Sequence, residues 1–207
     1  MQRLSRIVLA SASPRRYELL RSLGLSVDVL AGGYEETPQA HAGAAELASR
    51  HAAGKLRAAL QHRPASQDPV LAADTVVEVD GAALGKPRDA AEATAMLERL
   101  SGREHLVHTA FALAVPGSSA WTQERATARV RFYPLAADEI AEYVATGEPL
   151  DKAGAYGIQG RAAGMIEGIE GDFYTVMGLP LARVIRALRR LGFALPAKNE
   201  RRVGRAD

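Results

Sequence analysis

One short segment near the N-terminus carries groups that could bind phosphate. Residues 11–16, Ser-Ala-Ser-Pro-Arg-Arg, follow a short apolar stretch and bring together two hydroxyls and two guanidinium groups. Ser13 and Pro14 are typical of a helix start, with Ser at the N-cap and Pro at the first helical position. Helix N-termini attract anions, and arginine side chains match phosphate oxygens. The segment is therefore either a phosphate site or a solvated basic turn behind an N-cap.

A carboxylate interrupts the strongest strand that the sequence predicts. Asp74 stands in the run Leu-Ala-Ala-Asp-Thr-Val-Val of residues 70–79, which is otherwise mostly apolar. Because burial of an unpaired charge is costly, Asp74 either pairs with a cation in the core or lies at a strand end facing a cleft. The second placement favours a metal ligand or a group that activates water.

Two adjacent acids lie in a loop rich in glycine. Glu35 and Glu36 fall within residues 32–43, which contain three Gly and one Pro. Paired acids in a loop can hold a hard divalent cation. Considered alone, the two residues are explained better as ordinary surface charge.

Two later loops contain further polar groups beside glycines. Lys86 follows Gly85, but the Pro after it and the short distance from Gly81 exclude a Walker A loop, so Lys86 offers a point charge only. Residues 151–160 contain closely spaced Gly, which lets backbone approach a ligand, and Gln159, whose amide both donates and accepts. These features suit the phosphates and the edge of a base, and a loop packed on the sheet is the alternative.

Composition and charge exclude several classes of protein. The chain has 26 Lys and Arg against 24 Asp and Glu, and the excess lies in its last ten residues. A neutral body does not favour a stable complex with nucleic acid, which needs a basic face. The chain has no Cys, which excludes disulfides, thiolate catalysis and Cys-based zinc sites. No apolar run reaches the roughly 20 residues of a membrane span, and we expect a cytoplasmic protein without a membrane partner.

Helical and strand patterns alternate along the chain and predict how these groups are positioned. Strands are predicted at residues 7–10, 26–31, 70–79, 105–115, 122–133 and 165–169, and helices at residues 14–23, 44–60, 90–100, 137–146 and 180–191. This order predicts an α/β fold, a mixed twisted sheet flanked by helices. We expect residues 1–194 to form a single domain of two lobes and residues 195–207 to form a basic, flexible tail.

Taken together, the segments resemble the Maf family, also described as septum-formation-inhibitor-like nucleotide pyrophosphatases. The matching segments are residues 9–16, 73–76, 85–89, 97–102, 151–160 and 176–180. They follow one another in order from Arg6 to about Leu191, and the ordered set is much more specific than any one segment. The resemblance implies two lobes around a nucleotide cleft, in a fold that is also inosine-triphosphatase-like.

The resemblance also implies roles for individual residues. Asp74 matches the family's proposed proton acceptor, and it could serve mainly as a metal ligand instead. Positions associated with base selection correspond to Arg15, Thr75 and Gln159. The polar lining of the phosphate cleft corresponds to Ser11, Ser13, Arg16, Lys55 and Lys86. Glu36 falls at the family's loop carboxylate, which makes it a candidate ligand, together with Asp74, for Mg²⁺ or Mn²⁺.

One of these assignments has two possible registers within the helix predicted at residues 44–60. Counting from Glu36 without a gap places Lys55 at the family's lysine. His51 lies one turn earlier on the same face and would replace Lys55 in a shifted register.

The run at residues 153–160, Ala-Gly-Ala-Tyr-Gly-Ile-Gln-Gly, resembles family members of the dTTP/UTP type. Members that act on a methylated guanine nucleotide carry an acid in place of Gln159. The resemblance thus implies a nucleoside triphosphate pyrophosphatase that converts dTTP and UTP to the monophosphate and pyrophosphate. The alternatives are a pyrophosphatase for modified purine or other non-canonical nucleotides and a nucleotide-binding division regulator with little turnover. The sequence leaves open whether the chain forms a homodimer.

Overall fold

A mixed sheet forms the centre of the protein in a computed structural model that describes residues 1–35, 42–62, 67–118 and 121–197. The strands are β1 (Gln2–Arg3), β2 (Arg6–Leu9), β3 (Ser26–Val29), β4 (Val70–Val79), β5 (Ala82–Leu84), β6 (Glu104–Ala114), β7 (Trp121–Phe132), β8 (Ile166–Glu170) and β9 (Phe193–Ala194). The order across the sheet is β3-β2-β4-β6-β7-β8, and β5 pairs with β4. Pairings of β2 with β3 and β4 are parallel, and the others in this sheet are antiparallel. β1 and β9 form a separate parallel pair.

Helices cover both faces of the sheet. They are α1 (Pro14–Ser22), α2 (Ala44–Gln61), α3 (Ala90–Leu100), α4 (Ala137–Ala145), α5 (Phe173–Met177) and α6 (Leu181–Arg190). Successive strand residues point to opposite faces, so Val70 and Ala72 pack with α2, whereas Leu71 and Ala73 pack with α1 and α6. Farther along the sheet, α3 and α4 pack with the side of β4 that carries Val77.

The predicted α/β fold is confirmed, and the differences concern short elements. The sequence missed β1 and β9 because two-residue strands are too short to show any periodicity. It also missed α5, a five-residue helix with Asp172 as its N-cap, because so short a helix shows little periodicity. Residues 198–207 of the predicted tail lie outside the described residues. Within the described ranges, no helix is long and apolar enough to cross a membrane.

The order of the strands opens a crevice at the carboxyl end of β2. From β2 the chain passes through α1 to β3, and from β3 it passes through α2 to β4 on the other side of β2. The carboxyl ends of strands at such a switch point are where open α/β sheets bind ligands. β4 pairs with β2 at Val70 and Leu71 and then continues beyond the end of β2. Asp74 and Thr75 therefore reach the crevice.

Candidate active site

A cleft of about 740 Å³ occupies this crevice. The predicted site residues that line it are Ser11, Ser13, Arg15, Arg16, Lys55, Asp74, Thr75 and Lys86. Glu36 lies outside the described residues. Gln159 is exposed and is not among the residues that line the cleft. Segments far apart in the sequence thus contribute to one cavity.

Asp74 and Lys55 form an ion pair in the wall of the cleft. Lys55 Nζ lies 2.5 Å from Asp74 Oδ1, and the side chains are 19% and 10% exposed. Asp74 points to the face of the sheet that α2 covers, as Val70 and Ala72 do, which brings it to Lys55 on that helix. The sequence left open whether Asp74 pairs with a cation or faces a cleft. In the structure Asp74 does both.

His51, the alternative to Lys55, contacts a different residue. Its Nδ1 lies 2.9 Å from the hydroxyl of Tyr34, and both side chains line the cleft. The structure therefore places Lys55, rather than His51, against Asp74.

Arg16 is a buried cation that connects three parts of the cleft. It is 8% exposed. Its Nε donates to the carbonyl of Gly178 at 2.8 Å, Nη1 to Ser11 Oγ at 2.9 Å and Nη2 to Thr75 Oγ1 at 3.0 Å. Since every guanidinium nitrogen donates to a protein oxygen, Arg16 fixes the loop after β2 to β4 and to the end of α5.

The helix start predicted at residues 13 and 14 is confirmed. Ser13 is the N-cap of α1, and its hydroxyl accepts from the backbone N–H of Arg16 at 3.5 Å. The Ser13 N–H in turn donates to Ser11 Oγ at 3.3 Å. The N-terminus of α1, with its partial positive charge, thus forms part of the cleft wall.

A second group of cations, contributed by α1 and by two later loops, also lines the cleft. Burial alone would raise the pKa of Asp151, but the hydrogen bond from Lys152 and the positive charges of Lys152, Arg15 and Lys86 hold that pKa below its ordinary value. Lys152 Nζ lies 2.6 Å from Asp151 Oδ1 and also donates to the carbonyl of Glu148 at 2.6 Å. Arg15, Lys86 and Lys152 therefore form a cationic wall around the ionised carboxylate of Asp151.

Two glycines in residues 151–160 have distinct roles. Gly154 has φ +69°, and a Cβ there would lie 3.0 Å from the side chain of Val77. A Cβ on Gly157 would lie 2.7 Å from Lys152 Cε and 3.0 Å from Arg15 Nη1. The loop is therefore packed on the sheet at Gly154, whereas Gly157 makes room for the cationic wall.

Tyr34 also lines the cleft, although no sequence pattern predicted it as a site residue. Its ring lies on Gly54 of α2, where a Cβ would come within 2.1 Å of Tyr34 Cε2. A glycine inside a helix costs about 1 kcal/mol relative to alanine, so a lone Gly in a helical pattern signals close packing. That signal at Gly54 could have indicated that another side chain packs closely against α2 at this point.

A cleft that combines a lysine-paired carboxylate, a helix N-terminus and a cationic wall at a strand-order switch point is suited to a phosphorylated ligand. Comparison of the sequence with known families identifies the family. Residues 6–191 match the family model described as Maf-like protein, and the chain belongs to this family.

Similar proteins of the family cover nearly the whole chain. The dTTP/UTP pyrophosphatase of Symbiobacterium thermophilum is 48% identical over 93% of this chain and 97% of that protein. The enzyme of the same name from Methylobacillus flagellatus is 46% identical over 95% of this chain and 98% of that protein. The dTTP/UTP pyrophosphatase of Myxococcus xanthus is 49% identical over 92% of this chain and 94% of that protein.

Proposed function

We propose that the protein hydrolyses dTTP and UTP to the nucleoside monophosphate and pyrophosphate. The observation that carries the proposal is the Lys55–Asp74 pair, facing the same cleft as the cationic wall. The proposal is also supported by the similarity of the chain to dTTP/UTP pyrophosphatases. One of them is 48% identical over 93% of this chain.

In the proposed reaction, water attacks the α-phosphorus and the bond from this phosphorus to the α–β bridging oxygen breaks. Asp74 orients the water and accepts its proton, while Lys55 holds the carboxylate in position. Lys86 and the N-terminus of α1 neutralise the charge that develops on the leaving pyrophosphate. Arg16 keeps Ser11 and Thr75 at fixed positions in the cleft, since it donates to both hydroxyls.

A divalent cation, Mg²⁺ or Mn²⁺, is part of this proposal. Among the described residues, no group of three or more His, Asp or Glu side chains could hold a metal ion. Mg²⁺ is commonly bound by one or two carboxylates together with substrate phosphates and water, and service as such a ligand is the alternative role of Asp74 in the cleft. The residues therefore fit a cation that binds with the triphosphate, with Glu36 as the second candidate ligand. When bound, such a cation neutralises charge on the phosphate oxygens.

Base selection in this proposal involves three residues. Arg15 and Thr75 line the cleft, and Gln159 lies two positions beyond Gly157, which abuts Arg15. The Gln159 amide can donate to a base carbonyl. We assign the pyrimidine preference to these side chains together.

The test is a panel of dTTP, UTP, CTP, GTP and ATP, assayed for pyrophosphate release with Mg²⁺, with Mn²⁺ and with a chelator. We expect monophosphate and pyrophosphate as products, fastest from dTTP and UTP, and loss of turnover with the chelator. Faster hydrolysis of purine nucleotides would favour the alternative substrate class. Tight nucleotide binding without turnover would favour a regulator instead of an enzyme.

A further inference from the structure

Thr75 and Thr109 are directly opposite partners in the antiparallel pairing of β4 with β6. Their Oγ1 atoms lie 2.9 Å apart. Thr75 lines the cleft, whereas Thr109 is completely buried. The groups that hold the Thr109 hydroxyl in place therefore also orient the Thr75 hydroxyl, which a ligand in the cleft can contact.

The hydrogen bonds around this pair are all satisfied by one arrangement of protons. Thr109 Oγ1 lies 2.7 Å from the carbonyl oxygen of Thr175, which can only accept. Thr109 therefore donates its single proton to this carbonyl and must accept from Thr75. On its other side, Thr75 Oγ1 receives a hydrogen bond from Arg16 Nη2, because a guanidinium can only donate.

The partners of the pair are themselves fixed. Thr175 is completely buried, and its backbone N–H and its hydroxyl donate to Asp172 Oδ2 at 3.0 Å and 2.8 Å. Arg16 is fixed by its hydrogen bonds to Ser11 and to the carbonyl of Gly178. The donor direction along this chain of hydrogen bonds is thus set from both ends.

A hydroxyl oxygen has one proton and two acceptor positions. Thr75 gives its proton to Thr109 and uses one acceptor position for Arg16. The remaining group that Thr75 can offer to a ligand in the cleft is an acceptor.

We propose that Thr109 is a positioning residue for base recognition, which holds the Thr75 hydroxyl as an acceptor for the N3–H of uracil or thymine. This inference rests on the proposed function, in which Thr75 is a base-selecting residue. Cytosine has a bare acceptor at N3, so Thr75 and cytosine would face each other as two unpaired acceptors. A site built to hydrogen-bond one group rejects an analogue that lacks it, because the polar atoms of the site stay unsatisfied. Gln159 remains available to donate to a carbonyl of the base.

Replacement of Thr109 tests the assignment. Thr109→Val preserves the shape of the side chain but removes its hydroxyl, which frees the Thr75 proton to donate to cytosine N3. Thr109→Ser keeps the hydroxyl and is the matched control. We expect the UTP/CTP ratio of kcat/KM to fall about tenfold in Thr109→Val, in line with the loss of one hydrogen bond, and to stay within about twofold of wild type in Thr109→Ser.

A merely structural role for Thr109 would reduce turnover of both nucleotides equally and leave the ratio unchanged. An unchanged ratio in a folded Thr109→Val protein, or equal use of UTP and CTP by wild type, would overturn the inference. Thr109→Ala serves as a second variant without the hydroxyl if Thr109→Val does not fold.

Binding of UMP and CMP, measured by calorimetry, tests the same preference without turnover. If wild type prefers UMP and Thr109→Val loses this preference, the inference holds even if no pyrophosphate is released from UTP. Failure to release pyrophosphate from UTP would contradict the proposed function but not this inference. Equal binding of UMP and CMP by wild type would overturn the inference.

Discussion

Lys55 of α2 and Asp74 of β4 belong to different layers of the fold, yet Lys55 Nζ lies 2.5 Å from Asp74 Oδ1. The positive charge of Lys55 compensates the cost of burying the Asp74 carboxylate in a strand that is mostly buried and apolar. Because both side chains also line the cleft, the same contact that stabilises the strand fixes the orientation of the carboxylate toward a ligand.

The first prediction concerns the charge of Asp74. Asp74→Asn preserves the size of the side chain but removes its negative charge, so it can neither accept a proton from water nor bind a cation strongly. We expect kcat for UTP to fall by roughly 10²-fold or more. The measurement is pyrophosphate release at saturating UTP, with the melting temperature as a control for folding. Near-normal kcat in the folded variant would remove Asp74 from the reaction.

The second prediction compares the two candidate cations of α2. Lys55→Ala leaves Asp74 without its cation, whereas His51→Ala removes a contact with Tyr34. We therefore expect kcat/KM for UTP to decrease more in Lys55→Ala than in His51→Ala. The reverse ranking would show that His51 occupies the position of the family's lysine.

Much of this site was predictable because its elements carry strong local patterns. Residues 70–79 form a strand with Asp74 inside it, and Ser13 caps α1, as their sequences predicted. The orientation of Arg16 was not predictable, since its partners at Ser11, Thr75 and Gly178 depend on tertiary packing. Sequence patterns report the period of an element but not which distant carbonyl a guanidinium will reach.

The third prediction concerns the contact between α2 and Tyr34. A Cβ at Gly54 would overlap the Tyr34 ring, so Gly54→Ala must displace that ring from the cleft wall. Helix propensity favours alanine by about 1 kcal/mol, which offsets part of the lost packing. We expect KM for UTP to rise in Gly54→Ala while the melting temperature changes little. Tyr34→Ala should raise KM in the same way, and an unchanged KM in both variants would exclude Tyr34 from the binding site.

The fourth prediction concerns Gln159, which is exposed near the cleft rather than in its wall. Gln159→Glu replaces the amide donor by a carboxylate, which cannot donate to a base carbonyl when ionised. We expect the ratio of kcat/KM for UTP to that for GTP to decrease. If Gln159 serves only to satisfy loop backbone groups, the substitution will lower the melting temperature and leave this ratio unchanged.

The last prediction uses a buried histidine outside the cleft. His105 is 2% exposed, and its Nε2 lies 2.7 Å from the hydroxyl of Tyr156. Burial lowers the pKa of His105 from 6.5 to about 4. Between these pH values the unfolded chain binds a proton that the folded protein does not bind, so folding is less favourable as the pH falls.

The stabilisation linked to neutral His105 is therefore fully present above pH 6.5 and is lost as the pH approaches 4. The expected loss is about 3 kcal/mol, because each pKa unit corresponds to about 1.4 kcal/mol. His105→Phe keeps an aromatic ring beside Phe132 and Tyr156 but cannot titrate. Burial raises the pKa of Tyr156, so the tyrosine stays neutral throughout this range and its lost hydrogen bond adds no pH dependence. Urea unfolding of both proteins at several pH values should show a shallower decrease in the free energy of unfolding for His105→Phe. Identical pH dependence in the two proteins would mean that His105 does not titrate differently on folding.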